Sequence, residues 1–165
     1  MLIVLGNNIM VEGMEKKRAD DQLTNPVTQR LGYRLRRASS AMMANLGAAL
    51  EAIGLRPVEA TIIMLIGANP DCIQSDIGRT LGIKRANMVP LITALTQRDL
   101  VRKSPVDGRS VALSLTPLGE EACARANRIM TAHEQRYEER LTPEIRQALQ
   151  DALDILEREE PGATA

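Results

Sequence analysis

Gln74-Ser75-Asp76-Ile77-Gly78-Arg79-Thr80-Leu81-Gly82-Ile83-Lys84, followed at once by Arg85-Ala86-Asn87-Met88-Val89-Pro90, is the stretch on which the fold turns. Ile77 and Leu81 stand four apart, so both fall on one side of a short helix. Gly82 then opens a turn. A second helix is predicted from about Lys84 or Arg85 to Arg98, with Met88, Leu91, Ile92 and Leu95 as its buried stripe. Two short helices joined through a glycine turn make a helix-turn-helix. Pro90 interrupts the second one, because a proline there removes a backbone hydrogen bond and crowds the preceding turn. A kink or a re-started helix is expected, unless the helix begins nearer Ala86 and Pro90 falls in or just past its first turn.

Downstream the period changes. Val101 and Lys103, then Val111, Leu113 and Leu115, alternate as strand residues do. Between them Asp107-Gly108 is a strong hairpin-turn signal, so the stretch reads as a β-wing whose tip presents Arg109. Asp107 is expected to anchor the hairpin by pairing with a basic neighbour. The wing is followed by Thr116-Pro117 and later by Thr142-Pro143-Glu144, each a capping residue with proline at the first helical position. Leu118, Ala122, Ala126, Ile129, His133, Tyr137 and Leu141 keep helical spacing after the first, and Ile145, Leu149, Ala152, Leu153 and Leu156 after the second.

Upstream, Asn25-Pro26 reads as the start of one long amphipathic helix carrying Val27, Leu31, Leu35, Ala38, Met42, Leu46, Ala49 and Ile53, closed by Gly54. Its expected length of about 40 Å exceeds what a small domain covers alone, so one end is expected to meet a partner subunit. Pro57 opens a core helix with Val58, Ile62, Ile63, Leu65 and Ile66, which Gly67-Ala68-Asn69-Pro70 stops. The fold class that follows is mostly α with a small β-wing. A winged helix-turn-helix domain over residues 55–116 is joined to a helical dimerisation domain from 24–54 and 117–158, with a disordered tail at 1–23 and a C-terminal tail at 159–165.

Composition narrows the function classes. The 165 residues carry 21 basic and 21 acidic side chains, yet the charge is segregated. From Gly78 to Ser110 seven basic residues face only Asp99 and Asp107, whereas the stretch from Glu134 to Glu160 is acidic. Two tyrosines and no Phe or Trp leave no aromatic platform for single-stranded nucleic acid. Cys72 and Cys123 are too few for a disulfide framework or a zinc site; they fit small buried residues in a reducing cytoplasm. No metal and no cofactor are expected. One histidine, no phosphate-cradling glycine loop and no nucleophile with a base argue against an enzyme. The apolar run Leu2 to Leu5 is too short for a signal peptide, and no span suits a bilayer.

A helix-turn-helix beside a basic hairpin supplies two different probes for duplex DNA. The second helix fits the major groove, where Arg85 and Asn87 are candidate base readers, Ala86 lies among them, and Lys84 and Ser75 are candidate phosphate contacts. Arg109 is the candidate minor-groove probe, with Asp107, Arg102 and Lys103 in the same hairpin. The alternative is a winged-helix protein-interaction module without specific DNA binding.

The order of elements, the run Gln74-Ser75-Asp76-Ile77-Gly78 with Leu81-Gly82-Ile83, and Asp107-Gly108-Arg109 with Leu113, which is similar to a D-x-R-x-x-x-L wing signature, resemble the MarR family of bacterial transcription regulators over about Thr24 to Leu156. The resemblance implies a two-fold homodimer joined through the terminal helices, binding to a pseudo-palindromic operator, and repression relieved by a small effector, often an aromatic acid. It places that effector near Tyr33, Arg36, Arg37, Met42, Met64, His133 and Tyr137. The competing reading makes Met42 and Met64 core residues and His133 a packed histidine. Pro90 departs from the family pattern. So do Cys72 and Cys123, which are not in the N-terminal helix where a peroxide-sensing branch carries its cysteine.

Overall fold

The computed structural model describes residues 25–105 and 111–158. The expected wing tip, with Asp107, Gly108 and Arg109, lies outside the described residues, as do 1–24 and 159–165. In chain order the elements are α1 (Leu31–Glu51), α2 (Pro57–Ala68), β1 (Cys72–Ile73), α3 (Gln74–Thr80), α4 (Arg85–Gln97), β2 (Val101–Pro105), β3 (Val111–Leu115), α5 (Pro117–Glu138) and α6 (Pro143–Glu157). The chain divides into two compact units, one up to Ala41 and the other from Met42 onward.

In the first unit the helix expected from Val27 starts instead at Leu31. Asn25 is the cause. Its Oδ1 accepts from the Val27 amide at 3.1 Å and its carbonyl from the Thr28 hydroxyl at 2.8 Å, so the backbone closes a turn around Asn25. The resulting 21-residue helix spans about 31 Å rather than about 40 Å.

In the second unit the core forms around α2. Ile62, Ile63 and Ile66 are fully buried with Leu50 of α1 and with Met88, Ile92 and Leu95 of α4. Each such side chain contributes about 1.5–3 kcal/mol through burial. Gly54, with φ +66°, ends the α1 corner in the left-handed conformation its position suggested. Proline occupies the start of α2, α5 and α6, where its missing N–H costs nothing. Thr116 accepts from the Gly119 amide at 3.0 Å and Thr142 from the Ile145 amide at 3.4 Å, as the two Thr-Pro pairs predict.

The wing strands belong to a three-stranded antiparallel sheet of order β1-β3-β2, with Val101 opposite Leu115 and Pro105 opposite Val111. The two-residue β1, which pairs Cys72 with Leu113, was not anticipated. Its presence makes β3 the central strand, so simple alternation fails there. Ala112, Leu113 and Ser114 are all buried, and Val111, read as sharing the face of Leu113, is exposed.

Two features of this unit bear on function. Glu59 is only 4% exposed, yet it is an ionised carboxylate held between two arginines. It accepts from the Arg56 amide and guanidinium, both at 2.9 Å, and lies 3.5 Å from Nη1 of Arg98. Burial pushes its pKa up, but the Arg56 hydrogen bonds and the two positive charges outweigh this and hold it below the usual carboxylate value. The second feature is α6, which buries no residue at all. Ile145, Leu149, Leu153 and Leu156 recur along one side of it and stay between 37% and 54% exposed.

Candidate nucleic-acid interface

The turn between α3 and α4 is set by two glycines for different reasons. Gly82 has φ +64°, which side chains other than glycine adopt at a cost. Gly78 is buried, and a Cβ on it would stand 3.1 Å from the Ile83 carbonyl, whose own amide bonds back to the Gly78 carbonyl at 2.8 Å. The turn therefore folds closely over α3 and fixes where α4 begins. Lys84 is its N-cap, in an extended conformation and without a side-chain cap. The first turn of α4 holds no acidic residue, so no carboxylate of its own competes for the free amides beside Lys84 and Arg85.

These residues surround one recess of about 570 Å³. Ser75, Arg79, Lys84 and Arg85 supply its polar side, while Ile73, Met88, Val89 and Val111 supply its apolar side. The structure thus brings together three of the expected contacts, Ser75, Lys84 and Arg85. Sequence reasoning did not single out Arg79, which pairs with Asp76 one turn earlier. Val89, on the opening face of α4 with Lys84, Arg85, Ala86 and Asn87, and Val111, on the wing strand, were not among the expected contacts.

Pro90 neither stops nor restarts α4, which runs unbroken from Arg85 to Gln97 with Pro90 as its sixth residue. The restart is not seen: α4 begins next to the alternative start at Ala86, so Pro90 falls just past the first turn, and the buried anchors Met88, Ile92 and Leu95 lie on both sides of it. The local cost persists, since Pro90 has no N–H to give the Ala86 carbonyl. Ala86 and Asn87 are exposed on the same turn.

On β2, Arg102 and Lys103 are both exposed but are neighbours in a strand, so they project from opposite faces. Lys103 lies opposite Leu113 and Arg102 opposite Ser114, on the outer strand of the sheet.

The effector candidates fall into two groups. In the first unit, Arg36 and Arg37 lie over the Tyr33 ring at 5.4 and 5.9 Å, and the Tyr33 hydroxyl accepts from Asn25 at 2.8 Å. In the second unit, His133 is 8% exposed, and its Nε2 donates to the Met42 carbonyl at 3.0 Å. That bond leaves Nδ1 as the buried atom without a hydrogen-bond partner. The Tyr137 ring is 5.0 Å from the His133 ring, and its hydroxyl accepts from Asn45 at 2.7 Å. Met64 is half-buried on α2. None of these seven residues lines the recess beside α4. Burial raises the thiol pKa of both Cys72 and Cys123, the opposite of what a reactive thiolate needs. No described helix is long and apolar enough to cross a membrane.

Known proteins share this arrangement. Residues 53–110 match the sequence profile of the MarR family. A putative transcriptional regulatory protein for the hcr operon of Thauera aromatica is 27% identical over 133 residues, covering 79% of this chain and 80% of that protein. The solved structure of the transcriptional repressor CouR is 32% identical, covers 84% of this chain and 100% of its own, and superposes with a TM-score of 0.76. CouR has also been solved bound to a 23-mer DNA duplex and to p-coumaroyl-CoA, with identities of 34% and 33% to this chain. With that identity over 84% of this chain and all of the repressor's, and with the family profile matched across the helix-turn-helix, the chain belongs to the MarR family of transcription regulators.

Proposed function

We propose that this chain is a cytoplasmic, homodimeric repressor that binds a pseudo-palindromic DNA duplex and releases it on binding an aromatic acyl-CoA thioester. The observation that carries the DNA half is the start of α4. There an uncapped helix N-terminus, Lys84, Arg85 and Ser75 meet at one open recess, which suits phosphate oxygens on the rim of a groove. CouR, 34% identical to this chain, has been solved bound to a DNA duplex, which supports the duplex-binding reading. The hairpin extends the contact through Arg109 at the minor groove and through whichever of Arg102 and Lys103 faces the duplex, while Asp107 anchors the turn that presents Arg109. The exposed apolar stripe of α6 supports a dimer, which supplies the second recognition helix a palindrome requires.

The effector class rests on CouR bound to p-coumaroyl-CoA and on the charge of the first unit. Arg30, Arg34, Arg36 and Arg37 are all exposed within eight residues. A free aromatic acid carries one charge, whereas coenzyme A carries several phosphate charges that such a cluster matches. Met42, Met64, His133 and Tyr137 remain proposed effector contacts in the second unit.

The test is fluorescence polarisation with a duplex selected by the protein from a random library. Binding weakens steeply with salt on this reading. p-Coumaroyl-CoA releases the duplex, while p-coumarate and coenzyme A alone do not. Release by the free acid at equal concentration overturns the thioester assignment, and failure to select any duplex overturns the repressor reading.

A further inference from the structure

The recognition helix presents an apolar edge outward, flanked by its cations. Met88, Ile92 and Leu95 mark the inward direction of α4. At about 100° per residue, Ala86 and Pro90 fall within about 30° of the opposite direction, whereas Asn87 is about 70° and Arg85 about 130° away from it. Val89 lies about 90° from it on the Arg85 side, against the recess, and is 46% exposed. Arg85 lines the side recess with Lys84 and Arg79 instead of standing at the outermost edge. The part of α4 that enters a groove deepest is therefore hydrocarbon, and the charges sit where the phosphate walls would be.

We propose that Pro90, with Val89 and Ala86 beside it, reads thymine by packing against its C5-methyl group, and so fixes an A·T pair within each operator half-site. In the major groove the thymine methyl is the one apolar feature among the base edges, and it is what a side chain with no donor or acceptor can discriminate. Several features argue for this occupant. The positive flank formed by Lys84 and Arg85 matches a polyanion, the α4 start is uncapped, and a repressor 34% identical over 83% of the chain has been solved on a duplex. Proline in a second helical turn is otherwise a liability, and here it faces away from every core contact of its helix. The inference rests on the duplex-binding reading above.

The experiment uses the full chain and the duplex it selects from a random library. Each thymine of the selected consensus is replaced in turn by deoxyuridine, which removes only the methyl group. At one position per half-site the affinity of the wild-type protein falls about fourfold, the worth of one buried methyl group. In the V89A/P90A double variant the penalty at that position shrinks to less than twofold, while penalties elsewhere are unchanged. Equal affinity for thymine and uracil duplexes at every position overturns the proposal, as does a penalty that the double variant leaves intact. Failure to select any duplex is a different result and strikes the repressor reading itself.

Discussion

The guanidinium of Arg98, the residue that ends α4, donates through Nη2 to the Gly54 carbonyl at 2.7 Å. Its Nη1 lies 3.5 Å from the carboxylate of Glu59. The far end of the recognition helix is thereby tied to the α1–α2 corner through one buried charge. Removing that charge strands two arginines, both partly in water, so the cost is set by the charged hydrogen bonds lost. Glu59→Gln is expected to lower stability by about 1–2 kcal/mol in urea unfolding. Because the folded pKa of Glu59 is depressed, its contribution is complete above the unfolded carboxylate value of about 4.3. It is lost as pH falls through the lower folded value. The wild-type protein should therefore lose stability below about pH 4.3 more steeply than the Gln variant; parallel acid limbs would show that Glu59 is not the responsible group.

Gly119 allows no side chain. A Cβ there would stand 1.9 Å from the Leu100 carbonyl oxygen, which is backbone and cannot swing aside. That same oxygen accepts from the Thr116 amide at 3.2 Å, so any shift breaks the junction between β3 and α5. Gly119→Ala is expected to cost about 3 kcal/mol or more, or to prevent folding, as judged by thermal circular dichroism. A melting curve like that of the wild type would mean the α5 start moves freely.

The helix-turn-helix was legible in the sequence because its signals are local. Ile77 and Leu81, Gly82, and the Met88, Ile92 and Leu95 stripe each act within a turn or two. The Thr-Pro helix starts were legible for the same reason. β1 was not, since Cys72 pairs with Leu113 far along the chain and two residues carry no alternation. Nor was the delayed start of α1, where side-chain hydrogen bonds to Asn25 compete with the helix. At the candidate site the cations were read from composition and spacing. The inward stripe of α4 was also read from the sequence, but the recess that draws Arg85 to the side of the helix was not, because Ile73 and Val111, distant in the chain, help to line it. The wing tip, read as Asp107-Gly108-Arg109, lies outside the described residues.

Arg85 is consequently expected to act on phosphate more than on base identity. Arg85→Ala should weaken binding to all duplexes by a similar factor and reduce the salt dependence by about one unit per subunit. Titrations at several salt concentrations on the selected duplex and on single-base variants separate the outcomes. Loss confined to one base position would return Arg85 to the role of a base reader.

The exposed stripe of α6 gives a test of assembly. A Leu149→Glu and Leu153→Glu double variant places two charges where the stripe would be covered by a second copy. Analytical ultracentrifugation should show a monomer that keeps its helical spectrum, since α6 buries nothing within the chain. Its affinity for a palindromic duplex should fall to that for a half-site. A double variant that remains dimeric would place the subunit interface elsewhere.

Pro90 should trade stability for recognition. Proline in a helix interior is about 3 kcal/mol less favourable than alanine, through the lost hydrogen bond and the clash with the preceding turn. Here the residue is exposed and Met88 and Ile92 on either side are buried, so substitution disturbs no packing. Pro90→Ala restores an N–H to the Ala86 carbonyl and is expected to raise stability by about 1–3 kcal/mol in urea unfolding. The same variant should tolerate uracil in place of thymine better than the wild-type protein does. Higher stability with unchanged discrimination would make Pro90 an ordinary local defect. Lower stability would mean that the proline ring itself helps to seat α4 on its core.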